Sequence, residues 1–380
     1  MSMAEVAPVA LSTLTTLRTG AAPERMVRAE TRDDLVSELR TLWSAGERVL
    51  VVGGGSNLFA GDDPFDGTAV LVRTSGVERL PSPREGFARV RAEAGHDWDA
   101  LVAFTVDEGL QGIEAMSGIP GTAGAAPVQN IGAYGQELVQ TLVEVELLDE
   151  DTGEVSVVPA EALRLGFRTS VLKAHYGSVA ERNAVVLSIT LELAEVGSGE
   201  HPVVGAQLRQ SLGLDPSASA SLQWIRDTVI ATRAKKGMVL DESDPDTYSA
   251  GSFFQNAVVS SAFARTLPPE CPRWPVSVDV DPVTVIPLAV FDGRVPPPVA
   301  HEPDVKVSAA WLIEHAGIRK GFRFPRSRAG LSTKHALALT NRGGASAAEL
   351  AELARFIRGR VQAEFGLVLQ PEPVLVGVEL

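Results

Sequence analysis

The chain has 380 residues, a formal net charge of −14, 45% hydrophobic and 22% charged side chains. That length suits two or three domains with cores large enough to fold unaided, and the composition excludes wholesale disorder. So acidic a balance argues against a nucleic-acid partner, whose backbone is gripped by clustered Lys and Arg, but leaves room for a small anionic ligand met by a few convergent cations and N–H groups.

The chain opens MSMAEVAPVALST, with neither a basic n-region nor a long apolar h-region. No run of about 18 apolar residues follows anywhere, so a cytoplasmic protein without membrane insertion is expected. From Thr31, TRDDLVSELRTLWSAG has a Thr-x-x-Asp start, Leu35, Val36, Leu39, Leu42 and Trp43 on one stripe, and Gly46 as a stop, predicting an amphipathic helix. ERVLVVGGGSN reads as a buried strand entering a glycine turn, and GTAVLVRT from Gly67 as another strand. A glycine turn behind a strand lets N–H groups approach an anion. The spacing fits neither the dinucleotide fingerprint nor the P-loop, so a tight turn without a ligand competes with a phosphate site.

FARVRAEAG from Phe87 predicts a strand, DWDALVAFTVDEG from Asp97 a helix, and LVEVELLDEDTGEVSVVP from Leu142 a hairpin around Asp151, Thr152 and Gly153. AVVLSITLELAEV from Ala184 is a further strand, and the Gly, Ser and Ala of 198–222 mark a domain junction. Residues 267–305 hold Pro268, Pro269, Pro272, Pro275, Pro282, Pro287 and Pro296 to Pro298, which predict a loop-rich insertion between strands. Cys271, the single cysteine, forbids an internal disulfide, suits a reducing cytosol and reads as a small residue packed in that insertion. ASAAELAELARFIRGRVQAEFG has Ser346 and Glu349 as a capping box, a stripe of Leu350, Leu353, Ile357, Val361 and Phe365, and Gly366 as its stop. LVLQPEPVLVG then predicts a closing strand.

Five stretches carry candidate chemistry. SGIPGTAGAAPVQNIGAYGQE, 117–137, is small in side chain and cannot form a regular helix, so it is either a tightly packed loop or a backbone laid along a ligand, with Gln129 and Asn130 its only side-chain amides. In AGSFFQNAV, 250–258, Ser252 is either satisfied by backbone and inert or a proton donor in a dry pocket. G-x-S-x-G is absent, which disfavours serine hydrolysis. FRTSVLK offers Arg168 and Lys173, and RAKKGMVLD offers Arg233, Lys235 and Lys236, cations of a kind usually just solvated. Glu372, between Pro371 and Pro373, needs a partner if buried and none if it stands at an exposed strand end. His96, His175, His201, His301, His315 and His335 lack ligand spacing, and no metal site is expected.

In this order, GGGSNL at 53–58, SGIPGTAGAAPVQNIGAYGQE at 117–137, FRTSVLK at 167–173, KGMVLD at 236–241, AGSFFQN at 250–256, AAWLIEHAGIRKG at 309–321, STKHALALTNRG at 332–343 and LQPE at 369–372 resemble the UDP-N-acetylenolpyruvoylglucosamine reductase family, in its actinobacterial form. The likeness runs from about residue 15 to 377. It implies an α+β fold: a two-part FAD-binding domain of the PCMH or vanillyl-alcohol-oxidase type over 15–76 and 77–197, a C-terminal α+β substrate-binding domain over 222–366, and a C-terminal strand over 367–380 carrying a catalytic Glu. It also implies a cytoplasmic, monomeric flavoenzyme that uses non-covalent FAD and NADPH to reduce UDP-N-acetylglucosamine enolpyruvate to UDP-N-acetylmuramate for peptidoglycan.

By the same resemblance, Gly53, Gly54, Gly55, Ser56, Asn57 and Leu58 cradle the FAD diphosphate. Ser117, Gly118, Ile119, Pro120, Gly121, Gly124, Gln129, Asn130, Gly132, Ala133 and Tyr134 lie along the cofactor. Arg168 and Glu372 bracket the substrate carboxylate, Ser252 supplies the proton, and Lys236, Asn256 and His335 meet the nucleotide sugar. Two positions depart from the pattern: Phe167 and Gly205 stand where relatives commonly carry tyrosine. The competing readings are another flavin oxidoreductase of the same fold, such as an alcohol oxidase, against which GGGSNLFAGDD offers no His or Cys for a covalent flavin tether, and a nucleotide-sugar-binding protein without turnover, which Phe167 and Gly205 alone suggest.

Overall fold

The computed structural model describes residues 5–276 and 304–380. Its first unit is a four-stranded sheet in the order Glu5–Val6, Arg25–Ala29, Thr68–Val72, Val49–Val52, parallel except at the first pair. The helix Arg32–Ser44 starts at Thr31, whose Oγ1 accepts from the Asp34 N–H, and ends at Ala45 and the positive-φ Gly46. Its stripe of Leu35, Val36, Leu39 and Leu42 packs on Val27, Ala29, Val70 and Val72. Leu148 and Leu187 of the next sheet join the same cluster, so the two units share a core.

That second sheet is antiparallel, in the order Val155–Pro159, Leu142–Asp149, Ala184–Glu195, Phe87–Glu93, Val77–Pro81, with Leu110–Gln111 beside the end of Ala184–Glu195. Phe87–Glu93 alternates strictly, burying Ala88, Val90 and Ala92, as expected of a strand with one face on a core. Asp97 caps the helix Trp98–Asp107, which covers this face with Trp98, Leu101, Val102 and Val106. The predicted hairpin pairs Leu148 with Val155 around Gly153. Val77–Pro81, mostly exposed and ending in proline, is an edge strand that the sequence pattern does not mark.

The expected junction at 198–222 is a small folded excursion, with His201–Pro202 paired to Ser219–Ala220 and a helix at Ala206–Leu212. Gly205 precedes that helix with φ +98°, a conformation suited to glycine. The helix Leu222–Lys235, capped by Ser221, leads into the C-terminal unit and closes with Gly237 at φ +68°. There Ala257–Val259, Val305–Val307 and Arg273–Pro275 form an antiparallel sheet, and Ala329–Leu331 pairs with Leu339–Asn341. Residues 277–303 of the predicted proline-rich insertion, with Pro282, Pro287 and Pro296 to Pro298, lie outside the described residues. Cys271 is buried in the C-terminal core.

The helix Ala347–Phe365 carries the capping box as read, with Glu349 N–H on Ser346 Oγ and Ser346 N–H on a Glu349 carboxylate oxygen. Asp62, just beyond the glycine turn, also accepts from the Ala347 and Ala348 N–H groups at 2.7 and 2.9 Å, where the helix dipole favours an anion. The closing strand is shorter than predicted. Only Val374–Val376 is regular, pairing parallel to Leu58–Ala60 of the first unit, because Pro371 and Pro373 have no N–H for a ladder. The chain end is thereby returned to the glycine turn. Among the described residues, no helix is long and apolar enough to cross a membrane.

Candidate active site

The glycine triplet is squeezed between backbones. A Cβ on Gly53 would stand 2.5 Å from Thr122 Oγ1, one on Gly54 2.6 Å from Gly121 Cα, and one on Gly55, where φ is +63°, 2.0 Å from the Leu14 carbonyl oxygen. Ser56 Oγ donates to the Pro120 carbonyl at 2.8 Å, and Arg73 supports the turn from behind, Nη1 donating to the Gly53 carbonyl at 3.0 Å. The backbone N–H groups of 53–57 meet no acceptor among the described residues. Successive unpaired N–H groups on a glycine turn form an anion-binding nest.

The facing wall is 117–137, folded as short 3-10 turns at Ala123–Ala125 and Pro127–Gln129 and a tight hairpin of Gly132–Ala133 with Gln136–Glu137. Tyr134 and Gly135 form the hairpin tip at φ +52° and +85°, the conformation of a type I′ turn and a strained one for tyrosine. Ile119, Pro120, Gly121, Gln129 and Gly132 line the main cleft, and Gly124 an adjoining one. Ser117, Asn130 and Tyr134 face elsewhere. Ser117 Oγ donates to the Glu114 carbonyl. Asn130 gives Nδ2 to Glu137 and the Gly166 carbonyl and takes the Val139 N–H on Oδ1. Its amide is thus consumed by the fold, leaving Gln129 as the cleft amide. Tyr134 sits against the cluster of Val203, Leu208 and Ile225, its ring centroid 5.4 Å from Lys236 Nζ.

Arg168, Ser252 and Glu372, from three distant segments, line the same cleft as the glycine turn. Arg168 Nε stands 3.4 Å from Glu372 Oε1. Its Nη2 donates to the Gly132 carbonyl at 2.9 Å and its Nη1 to the Asn130 carbonyl at 3.4 Å, which fixes the plane of the guanidinium. Arg168 holds φ at +54°; a non-glycine residue kept in that region is a strain that clusters at functional sites. Ser252 is half-buried, and its hydroxyl has no hydrogen-bond partner among the described residues. Its neighbours Phe253 and Phe254 do not line the cleft; Phe253 packs edge-on against both Phe59 and Phe254 in the core behind it. The Phe253 carbonyl accepts the Glu372 N–H at 2.9 Å, joining the serine loop to the glutamate segment.

Two cations that the pattern passes over as solvated are not. Lys173 is 4% exposed, and its Nζ donates to Gln129 Oε1 at 2.9 Å and the Glu372 carbonyl at 3.0 Å. Burial pushes its ammonium down to about 8, against the pull of Glu372 and with the repulsion of Arg168. Arg233 lines the cleft, and its Nε is sealed from solvent without an acceptor among the described residues. No local signal marks either residue, because both are buried by segments remote in sequence.

His335 accepts the Leu337 N–H on Nδ1 at 3.0 Å, which leaves its proton on Nε2. Burial first, then the charges of Lys236, Lys320 and Arg233, lower it to about 4, so the imidazole is neutral at pH 7. Asn256 stands outside the cleft lining, its Oδ1 taking the Ala309 N–H at 3.0 Å. Phe167 packs under Lys306, whose Nζ is 4.2 Å from the ring centroid.

The main cleft, of about 340 Å³, adjoins a second of about 360 Å³. The two share Val51, Gly53, Thr122, Ala125 and Val128. An elongated cofactor with an apolar ring system and a central diphosphate fits a long, largely apolar trench with unpaired N–H donors at its waist. Among the described residues there is no group of three or more His, Cys, Asp or Glu able to hold a metal.

Residues 23–158 match the family described as "FAD binding domain", and residues 244–376 the family described as "UDP-N-acetylenolpyruvoylglucosamine reductase, C-terminal domain". The chain is 51% identical to the UDP-N-acetylenolpyruvoylglucosamine reductase of Leifsonia xyli over 98% of this chain and 99% of that one. It is 46% identical to the enzyme of the same name from Saccharopolyspora erythraea, over 98% of this chain and 95% of the relative. The solved UDP-N-acetylenolpyruvylglucosamine reductase of Thermus caldophilus aligns with a TM-score of 0.61 at 23% identity, covering 98% of this chain and 99% of that one.

Proposed function

The chain belongs to the UDP-N-acetylenolpyruvoylglucosamine reductase family, and from that premise we propose how its cleft divides the work: Arg168 and Glu372 hold the enolpyruvyl carboxylate, and Ser252 delivers the proton. The reaction is the NADPH-dependent reduction of UDP-N-acetylglucosamine enolpyruvate to UDP-N-acetylmuramate, with FAD as the non-covalent carrier. When bound, FAD would supply the hydride chemistry that links NADPH to the terminal methylene carbon of the enolpyruvyl group. Residues 53–58, with Ile119 to Gly121, Gln129 and Gly132, would hold it, the diphosphate on the nest of N–H groups; Gly118 lies outside the lining, its N–H donating to Asp99.

Addition of hydride to the alkene leaves negative charge on the neighbouring carbon and its carboxylate. Arg168 offers a forked cation to that carboxylate, oriented by the Gly132 and Asn130 carbonyls. Glu372, whose Oε1 stands 3.4 Å from Arg168 Nε, places its carboxyl group beside the growing charge. A serine hydroxyl is a weak acid, so Ser252 protonates only a strongly basic carbon shielded from water; a hydroxyl without a protein partner is free to turn toward it. Lys236 meets the diphosphate of the nucleotide sugar as a point charge, His335 donates from Nε2, and Asn256 offers its amide N–H. NADPH and the sugar nucleotide use the one pocket in turn. We place the enzyme in the cytoplasm as a monomer.

The observation that carries this reading is the convergence of Arg168, Ser252 and Glu372 on the cleft lined by the glycine turn. Anaerobic stopped-flow spectroscopy of the holoenzyme tests it: NADPH bleaches the flavin, and the enolpyruvyl sugar nucleotide restores its colour. Bleaching by NADPH with no return on adding that substrate overturns it.

A further inference from the structure

We propose that Lys173 is a positioning residue, whose buried ammonium fixes the main chain of Glu372 and thereby the carboxylate that faces Arg168. The inference rests on the reading of Glu372 as a substrate-facing group. A buried ammonium is costly unless its donors are met. Here the acceptors are two neutral oxygens, Gln129 Oε1 and the Glu372 carbonyl, and no carboxylate lies within ion-pair distance of Nζ among the described residues.

Glu372 is flanked by Pro371 and Pro373, neither of which has an N–H. The N–H anchors of the segment are therefore those of Glu372 and of Val374, which donates to the Asn57 carbonyl at 2.9 Å, while the Gln370 carbonyl accepts the Gln255 N–H at 3.0 Å. Glu372 donates its N–H to the Phe253 carbonyl at 2.9 Å. Its carbonyl takes Lys173 Nζ at 3.0 Å and, more weakly, Asn57 Nδ2 at 3.4 Å. Pro373 further restricts Glu372 to extended backbone. With both sides pinned, the Cα–Cβ direction of Glu372 is set. The loop that carries Arg168 also carries Lys173, so one loop grips Glu372 twice, by its carboxylate and by its backbone. Gln129 Oε1 accepts from both Lys173 and Asn57, at 2.9 and 2.7 Å, which ties the grip to the glycine turn.

The test uses purified holoenzyme and both half-reactions, with Lys173→Met, Lys173→Gln, Glu372→Gln and the Lys173→Met/Glu372→Gln double variant. Lys173→Met is expected to slow flavin reoxidation at saturating enolpyruvyl substrate by about 10- to 100-fold, the effect of losing a charge-assisted hydrogen bond. Flavin reduction by NADPH stays within about threefold of the parent. Lys173→Gln recovers part of the rate, because a carboxamide NH₂ still donates to both oxygens. Added to Glu372→Gln, Lys173→Met costs nothing more.

The pH profile separates positioning from simple support. The charged groups facing Lys173 are Glu372, Arg168 and His175. Parent reoxidation falls toward the Lys173→Gln rate as pH rises through about 8, where the ammonium becomes a neutral amine, and Lys173→Gln is flat over that range. If Lys173→Met does not fold, the profile of Lys173→Gln decides, and a basic limb that persists overturns the proposal. Losses that multiply in the double variant overturn it too, as does slow Glu372→Gln beside a fully active Lys173→Met. Full activity of both single variants overturns the role of Glu372 itself.

Discussion

Arg168 meets Glu372 with its Nε 3.4 Å from Oε1, longer than the 2.7–2.9 Å of a tight charge-assisted bond. The other guanidinium nitrogens are turned to the Gly132 and Asn130 carbonyls. The pair is oriented but not closed, which suits a site where a substrate carboxylate is to join it. Arg168→Lys keeps the charge and loses the planar fork. Flavin reoxidation by the enolpyruvyl substrate should fall by about 10²- to 10³-fold, the range for removing one preorganised donor, while reduction by NADPH stays near parental. Parallel stopped-flow traces measure both, and equal losses would count against a substrate-specific role.

Ser252 makes no hydrogen bond within the described protein, so its hydroxyl is available to a ligand. Ser252→Ala should retain rapid flavin reduction but slow reoxidation by about two to four orders of magnitude, the contribution of a positioned acid. Proton delivery also predicts a solvent deuterium effect on the parent reoxidation that the variant loses. A variant with unchanged reoxidation would remove Ser252 from the chemistry.

What could be read in advance follows from how local each determinant is. The helix Ala347–Phe365 was legible because Ser346, Glu349 and Gly366 specify its ends within a few residues. The glycine turn showed as a motif, yet the reason for its glycines lay in Thr122, Gly121 and Leu14, which no nearby residue announces. Asn130 and Gln129 are neighbours of similar chemistry, but long-range packing saturates the first with Glu137, Gly166 and Val139 and opens the second to the cleft. Lys173 and Arg233 read as surface cations, since burial by remote segments leaves no mark on composition. Phe253 and Phe254, next to Ser252 in sequence, pack into the core behind the cleft, because only the backbone decides which way successive side chains face.

Gly54 tests the union of the two walls. A methyl there would lie 2.6 Å from Gly121 Cα, a backbone atom that cannot swing aside. Gly54→Ala should force the walls apart and weaken FAD retention by about 10- to 100-fold, the range for overpacking a tight contact. Gly359, with open space around its Cβ position, serves as the control: Gly359→Ala should keep its colour through gel filtration. Fluorescence titration with FAD checks both, and a Gly54→Ala protein that binds FAD like the parent would refute the contact.

His335 links the site to stability. Burial and the charges of Lys236, Lys320 and Arg233 hold its folded value at about 4, below the ordinary 6.5. The unfolded chain therefore takes up a proton in a range where the folded chain does not, and stability falls as pH drops through 6.5 towards 4. Above 6.5 both states are neutral there and no penalty exists; below 4 both are protonated and the penalty is complete. Between pH 7 and 5 this one group should lower stability by about 2 kcal/mol. His335→Gln removes the titration while keeping a donor. Urea unfolding of the holoenzyme at the two pH values should then show a smaller acid-induced loss in the variant, by about that amount. Identical losses in parent and variant would mean that His335 is not held neutral by its surroundings.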